Sequence, residues 1–120
     1  MIVYKAIDHI QICIPHGEID KARVFYCDIL GFTEIEKPDV FSGDQYLWVA
    51  YNNIQLHIGT EDPSPLSQRH PAFEVEDLQS VRQYLESKDI SIKDSRPIPE
   101  RERFSIRDYW GNKIEFLEKY

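Results

Sequence analysis

Apolar and polar residues alternate from Lys5 to Pro15, with Ile10, Ile12 and Ile14 on one side and His9, Gln11 and Cys13 on the other. This period of two predicts a strand with one buried face. From Glu18 to Leu30 the apolar residues Ile19, Ala22, Phe25, Tyr26, Ile29 and Leu30 recur at helical spacing, and Gly31 stands where a left-handed C-terminal cap belongs. Phe32 to Glu36 predicts a short strand, Lys37 to Gly43 a loop, Tyr46 to Tyr51 an aromatic-rich strand, Asn52-Asn53 a turn, and Ile54 to Gly59 a further strand. The order is β-α-β-β-β.

After Thr60 to Gln68, a linker holding Pro63, Pro65 and two serines, the order repeats. His70 to Val75 predicts a strand, and Asp77 caps a helix whose Leu78, Val81, Tyr84 and Leu85 share one face up to Lys88-Asp89. Ile90 to Ile92 predicts a short strand, Ser95 to Glu102 a loop, Phe104 to Asp108 a strand, Gly111-Asn112 a turn, and Asn112 to Glu118 the last strand. The chain therefore reads as one α+β domain over 1–120. It holds two tandem βαβββ modules, 1–60 and 69–120 around the linker at 60–68, forming a curved mixed sheet around a cavity with the helices outside.

The repeat brings the chemistry into correspondence. His9 and His70 open the first strands of the two modules, while His57 and Glu115 hold matching places in the last strands, where Ile54-Gln55-Leu56-His57-Ile58 superposes on Asn112-Lys113-Ile114-Glu115-Phe116 without a gap. If Ile10, Leu56, Phe73 and Ile114 lie under the helices, all four polar side chains project from the helix-free face. A set of three imidazoles and one carboxylate suits one divalent transition metal (zinc, nickel, iron, manganese or cobalt) better than magnesium or calcium. An octahedral ion with four protein ligands keeps two positions for adjacent substrate oxygens. Glu115 is also the candidate catalytic base. His16 falls outside the pattern.

Composition narrows the partner. A net charge of −7 disfavours nucleic acid and anionic membranes, and no apolar run is long enough to span a bilayer. Without the features of a signal peptide, the chain is expected in the cytoplasm, with Cys13 and Cys27 as reduced thiols and a small molecule as substrate. Strand parity adds Gln11, Cys13, Gln55, Lys113, Arg103, Ser105 and Arg107 to the candidate face. Gln11, Trp48, Arg103 and Ser105 are the candidate substrate contacts, and Tyr46 and Tyr51 either wall the same pocket or fill the core. Arg96, Arg101, Arg103 and Arg107 cluster in an otherwise acidic chain. They either grip a substrate carboxylate or phosphate or pair with Glu100 and Glu102.

Four segments carry a family resemblance: Asp8-His9-Ile10, Ala22 to Phe32, His70 to Leu78 and Asp108 to Phe116. Together they are similar to the vicinal oxygen chelate superfamily, which includes glyoxalase I, bleomycin-resistance proteins, fosfomycin-modifying thiol transferases and extradiol dioxygenases. The resemblance implies paired βαβββ modules, a divalent metal at His9, His57, His70 and Glu115, and a homodimer. A lyase, isomerase or dioxygenase is the reading it favours. The alternatives are a non-catalytic antibiotic-binding or resistance protein and a fosfomycin-type thiol transferase.

Overall fold

The structure, a computed structural model, describes residues 1–120. It divides into two compact units, Met1–Pro63 and Ser64–Tyr120, and their boundary falls inside the proline- and serine-rich stretch. No helix is long and apolar enough to cross a membrane.

The first unit contains β1 (Ile10–Ile14), α1 (Ile19–Ala22), β2 (Thr33–Glu34), a 3-10 turn (Asp39–Phe41), β3 (Leu47–Tyr51) and β4 (Ile54–Thr60). Its sheet runs β1-β4-β3-β2, with β1 parallel to β4 and the other pairs antiparallel. The second unit contains β5 (Ala72–Glu74), α2 (Leu78–Ser87), β6 (Lys93–Asp94), β7 (Arg101–Arg107) and β8 (Lys113–Lys119), ordered β5-β8-β7-β6 with the same senses. The predicted repeat is thus present strand for strand, as two mixed four-stranded sheets with a helix in each unit. The first strand is shorter than its alternation predicts, because β4 pairs only with Ile10–Ile14 and the chain before it has no partner strand.

Core residues follow the predicted parity. Ile12, Ile14, Leu47, Val49, Leu56 and Ile58 are buried in the first unit, and Phe104, Ile106, Ile114 and Phe116 in the second. The first helix departs from plain α geometry. After one α turn it widens into a π-helical segment, Arg23–Ile29, which buries Phe25 and Tyr26 completely. Gly31, at φ +85°, ends it as predicted.

On α2, Asp77 accepts the Ser80 amide at 3.1 Å, and Glu118 accepts the Leu78 amide at 2.8 Å, so two carboxylates meet the amide-rich end of the helix. Its other end explains why the predicted Ile90–Ile92 strand is displaced to Lys93–Asp94. Asp89 adopts a left-handed φ of 59°, and the Ile90 amide donates to Leu85 O at 3.1 Å. The Asp89 amide donates to Glu86 O at 3.1 Å. Ile90, buried as this motif's apolar residue, is engaged in stopping a helix. Tyr84, predicted on the core face, is 42% exposed, with the Lys88 ammonium over its ring.

Between β7 and β8, buried Asp108 accepts the amides of Trp110 and Asn112 at 3.0 and 2.8 Å and the Asn112 side-chain amide at 2.8 Å. Gly111 takes φ +96° there, and a β-carbon on it would overlap the Leu66 side chain. Gly111→Ala is therefore expected to lower stability by roughly 1–2 kcal/mol, read by urea denaturation.

At the contact between the first helix and β2, Arg23 spans both Glu34 oxygens at 2.8 and 3.2 Å and also reaches Asp20 at 2.7 Å. The bond from Arg23 holds the Glu34 carboxyl below its ordinary 4.5. A depressed folded value means that the contribution is present above about 4.5 and is lost as pH falls through the folded value. For this exposed pair it is expected to be under ~1 kcal/mol, and Glu34→Gln should flatten that acid limb of the stability profile.

Candidate functional site

The register places the candidate side chains in two pairs, one in each unit. In the first unit Gln11 and Trp48 lie across from His57, on either side of it, so all three share a face. The His57 ring is sandwiched: His9 stacks at 3.9 Å between centroids and Trp48 at 3.7 Å, nearly parallel on both sides. His57 Nε2 donates to Gln55 Oε1 at 3.2 Å, leaving the lone pair on Nδ1. Burial first, then His9, holds the His57 imidazole below its ordinary 6.5, so it is neutral at pH 7, the form a metal needs. His9 Nδ1 donates to Asp8 at 2.8 Å, which leaves Nε2 as the acceptor. A carboxylate fixing a histidine tautomer in this way is the usual outer partner of a metal-binding imidazole.

In the second unit Ala72 and Ser105 flank Glu115 in register, matching Gln11 and Trp48 around His57. Glu115 is 6% exposed, and its Oε1 takes Arg103 Nη1 at 2.9 Å and faces His70 Nε2 at 3.4 Å. His70 Nδ1 lies 2.7 Å from the Gln68 carbonyl, which can only accept. The proton of the neutral ring is therefore on Nδ1, and a nitrogen lone pair points at a carboxylate oxygen. Two such atoms repel unless a cation, a proton or a metal ion, comes between them.

No three His, Cys, Asp or Glu side chains gather into a metal-sized cluster in the structure. The four predicted ligands instead occur as His9 with His57 and His70 with Glu115. Their donor chemistry fits a divalent transition ion: each imidazole has one nitrogen engaged by an acceptor and the other left as a donor to metal.

Gln11 is turned along its own strand to Cys13 Sγ, 3.8 Å away, over Gly59, where a β-carbon would overlap its amide. A glycine inside a strand pattern signals such a close approach. Tyr46 and Trp48 share the site face with Phe41, whose ring lies 5.2 and 5.9 Å from theirs, whereas Tyr51 has the opposite parity and packs on Phe32. His16 binds Gln45 at 3.2 Å, away from both pairs. The arginines do not pair with Glu100 or Glu102: Arg103 takes Glu115 and Arg96 O, and Arg107 takes the carbonyls of Ser67 and Gly111. Asp8 and Gln68 are additions from the structure. Asp8 could have been suspected from its adjacency to His9, but the Gln68 carbonyl leaves no trace in sequence.

Residues 6–116 match the Glyoxalase/Bleomycin resistance protein/Dioxygenase superfamily, and the chain belongs to it. It is 31% identical to the uncharacterized protein YaeR of Escherichia coli K12, over 99% of this chain and 100% of that one. A glyoxalase family protein from Bacillus anthracis is 34% identical, with a TM-score of 0.92 over 100% of this chain and 99% of its own. Two more distant structures share the fold. The fosfomycin resistance protein FosX of Listeria monocytogenes, in complex with Mn(II) and sulfate, is 15% identical, with a TM-score of 0.79 over 98% of this chain and 93% of that one. TnmS3, an antibiotic binding protein from Streptomyces sp. CB03234, is 21% identical, with a TM-score of 0.74 over 98% and 100%.

Neutral His70 is expected to carry its proton on Nδ1, visible in nitrogen-coupled NMR of the metal-free protein. A proton on Nε2 would contradict the bond to Gln68.

Proposed function

We propose that the chain is a metal-dependent enzyme of this superfamily, a cytoplasmic homodimer acting on a small molecule held through two oxygens. In this reading His9, His57, His70 and Glu115 are the ligands of one divalent transition ion, zinc, nickel, iron, manganese or cobalt. The observation that carries it is the His70–Glu115 pair, an imidazole nitrogen 3.4 Å from a carboxylate oxygen with a carbonyl 2.7 Å from the other ring nitrogen. The tautomers of His9 and His57, fixed by Asp8 and Gln55, support it, as does a shared fold with FosX, a protein that has been crystallised with Mn(II). When bound, the ion supplies Lewis acidity to a substrate carbonyl or hydroxyl.

The chain's own residues supply the rest. Trp48 and His9 keep the His57 ring from turning, because it is stacked on both faces. Arg103 fixes the rotamer of Glu115 through one hydrogen bond. Glu115 is the buried carboxylate beside His70, and so the group to take a proton from the substrate and return it. In this reading Ser105, directly across from Glu115, and Gln11, across from His57, contact the substrate.

A second reading is a non-catalytic protein that sequesters a planar molecule. The row of rings from Tyr46 and Phe41 through Trp48 to His57 favours it, and TnmS3 shows the fold in an antibiotic binding protein. A fosfomycin-type thiol transferase would add dependence on a thiol and on manganese.

Elemental analysis of protein purified without chelators or a metal-binding tag separates the first two. About one metal ion per chain is expected, with His9→Ala and His57→Ala each weakening metal binding by roughly tenfold or more. Full occupancy in both variants would remove the site as drawn. No uptake on titration would put the sequestering reading first.

A further inference from the structure

The second unit's sheet is polarised in charge. Parity and register put Lys93, Arg101, Arg103, Arg107, Lys113 and Lys119 on the face that carries Ser105 and Glu115. The only carboxylates among the strand residues of that face are Glu74 and Glu115. The opposite face is apolar over Phe104, Ile106, Ile114 and Phe116, and its acids are Asp94, Glu102 and Glu118, the last two directly across from each other. In a chain with a net charge of −7, six cations and two carboxylates on one sheet face form a local reversal of sign.

Few of these cations are neutralised. Arg103 has Glu115, and Lys119 has Glu74 at 3.8 Å. Arg107 bonds two backbone carbonyls, and Lys113 the neutral side chain of Gln68 at 3.2 Å. Arg101 and Lys119 are direct cross-strand partners, a like-charge pair in which Glu74 offsets Lys119 and no carboxylate pairs with Arg101. The Nε atoms of Arg101 and Arg103, two residues apart on one strand face, are buried without an acceptor. Such unspent guanidinium donors are costly in isolation and suit the geometry of carboxylate and phosphate oxygens.

We infer that this strip, centred on Arg101, Arg103 and Lys113, binds an oxyanion, and that the molecule the protein takes is a small carboxylate- or phosphate-bearing compound. The inference extends the metal reading, because the strip shares its face with Glu115. A divalent ion added beside Arg103 would leave that face more positive still, so an anionic ligand is favoured over a neutral one. The overall negative charge of the chain favours a small anion over a polyanion.

The test uses the full chain, stripped of metal, titrated calorimetrically with inorganic phosphate and, separately, with malonate at low ionic strength. Saturable binding of at least one, at one site per chain, is expected, and the stronger of the two identifies the anion class. Arg101→Gln and Lys113→Gln should each weaken it by about tenfold, the effect of losing one charge-assisted bond. Lys21→Gln, the same charge change on the helix of the other unit, should leave it unaltered. The inference is overturned if neither anion saturates, if both strip variants retain full affinity, if Lys21→Gln weakens binding equally, or if only heparin or duplex DNA binds. Because no metal is present, failure here leaves the metal assignment standing, and absence of metal uptake leaves this result standing.

Discussion

Everything chemical in this chain depends on the register of two parallel strand pairs. With Gln11 opposite His57 and Ala72 opposite Glu115, the apolar set of each strand faces the helices and the polar set faces away. A slip of one residue would exchange the faces, driving His57 and Glu115 into the core and exposing Leu56 and Ile114. Burial of Leu56, Ile58, Ile114 and Phe116 therefore holds the site side chains in place as firmly as it holds the fold.

The two units use one backbone plan for different chemistry. The place across from the last-strand candidate residue is Trp48 in the first unit and Ser105 in the second, and that residue itself changes from the imidazole of His57 to the carboxylate of Glu115. The first unit surrounds His57 with rings and holds its imidazole below the ordinary value by burial first and by His9 second. The second surrounds its carboxylate with guanidinium and ammonium groups. Donor atoms at equivalent positions are thus given opposite electrostatic settings by neighbours that the repeat does not constrain.

Much of this was legible in the sequence because it depends on period and on short-range chemistry. Alternation fixed the faces of His9, His57 and Glu115, Gly31 marked a helix end, and Asp77 marked a helix start. What was not legible depends on partners distant along the chain. Ile90 has the composition of a strand residue, yet its role is set by the left-handed Asp89 before it and by the Leu85 carbonyl. The π-helical stretch at Arg23–Ile29 has an ordinary amphipathic pattern and shows only in which carbonyl each amide reaches. The arginines could equally have paired with Glu100 or Glu102 by proximity. Strand β7 separates them, placing Glu102 on the face opposite Arg101 and Arg103.

The polarised sheet has a kinetic consequence. An anion approaching from a distance meets the field of the whole chain, which is negative, and is attracted only once it is within a few ångströms of the arginine strip. At physiological ionic strength the screening length is about 8 Å, so added salt suppresses the distant repulsion more than the local attraction. Capture of an anion is then slowest in dilute buffer and quickens as salt is added, the reverse of ordinary electrostatic steering, while the residence time shortens.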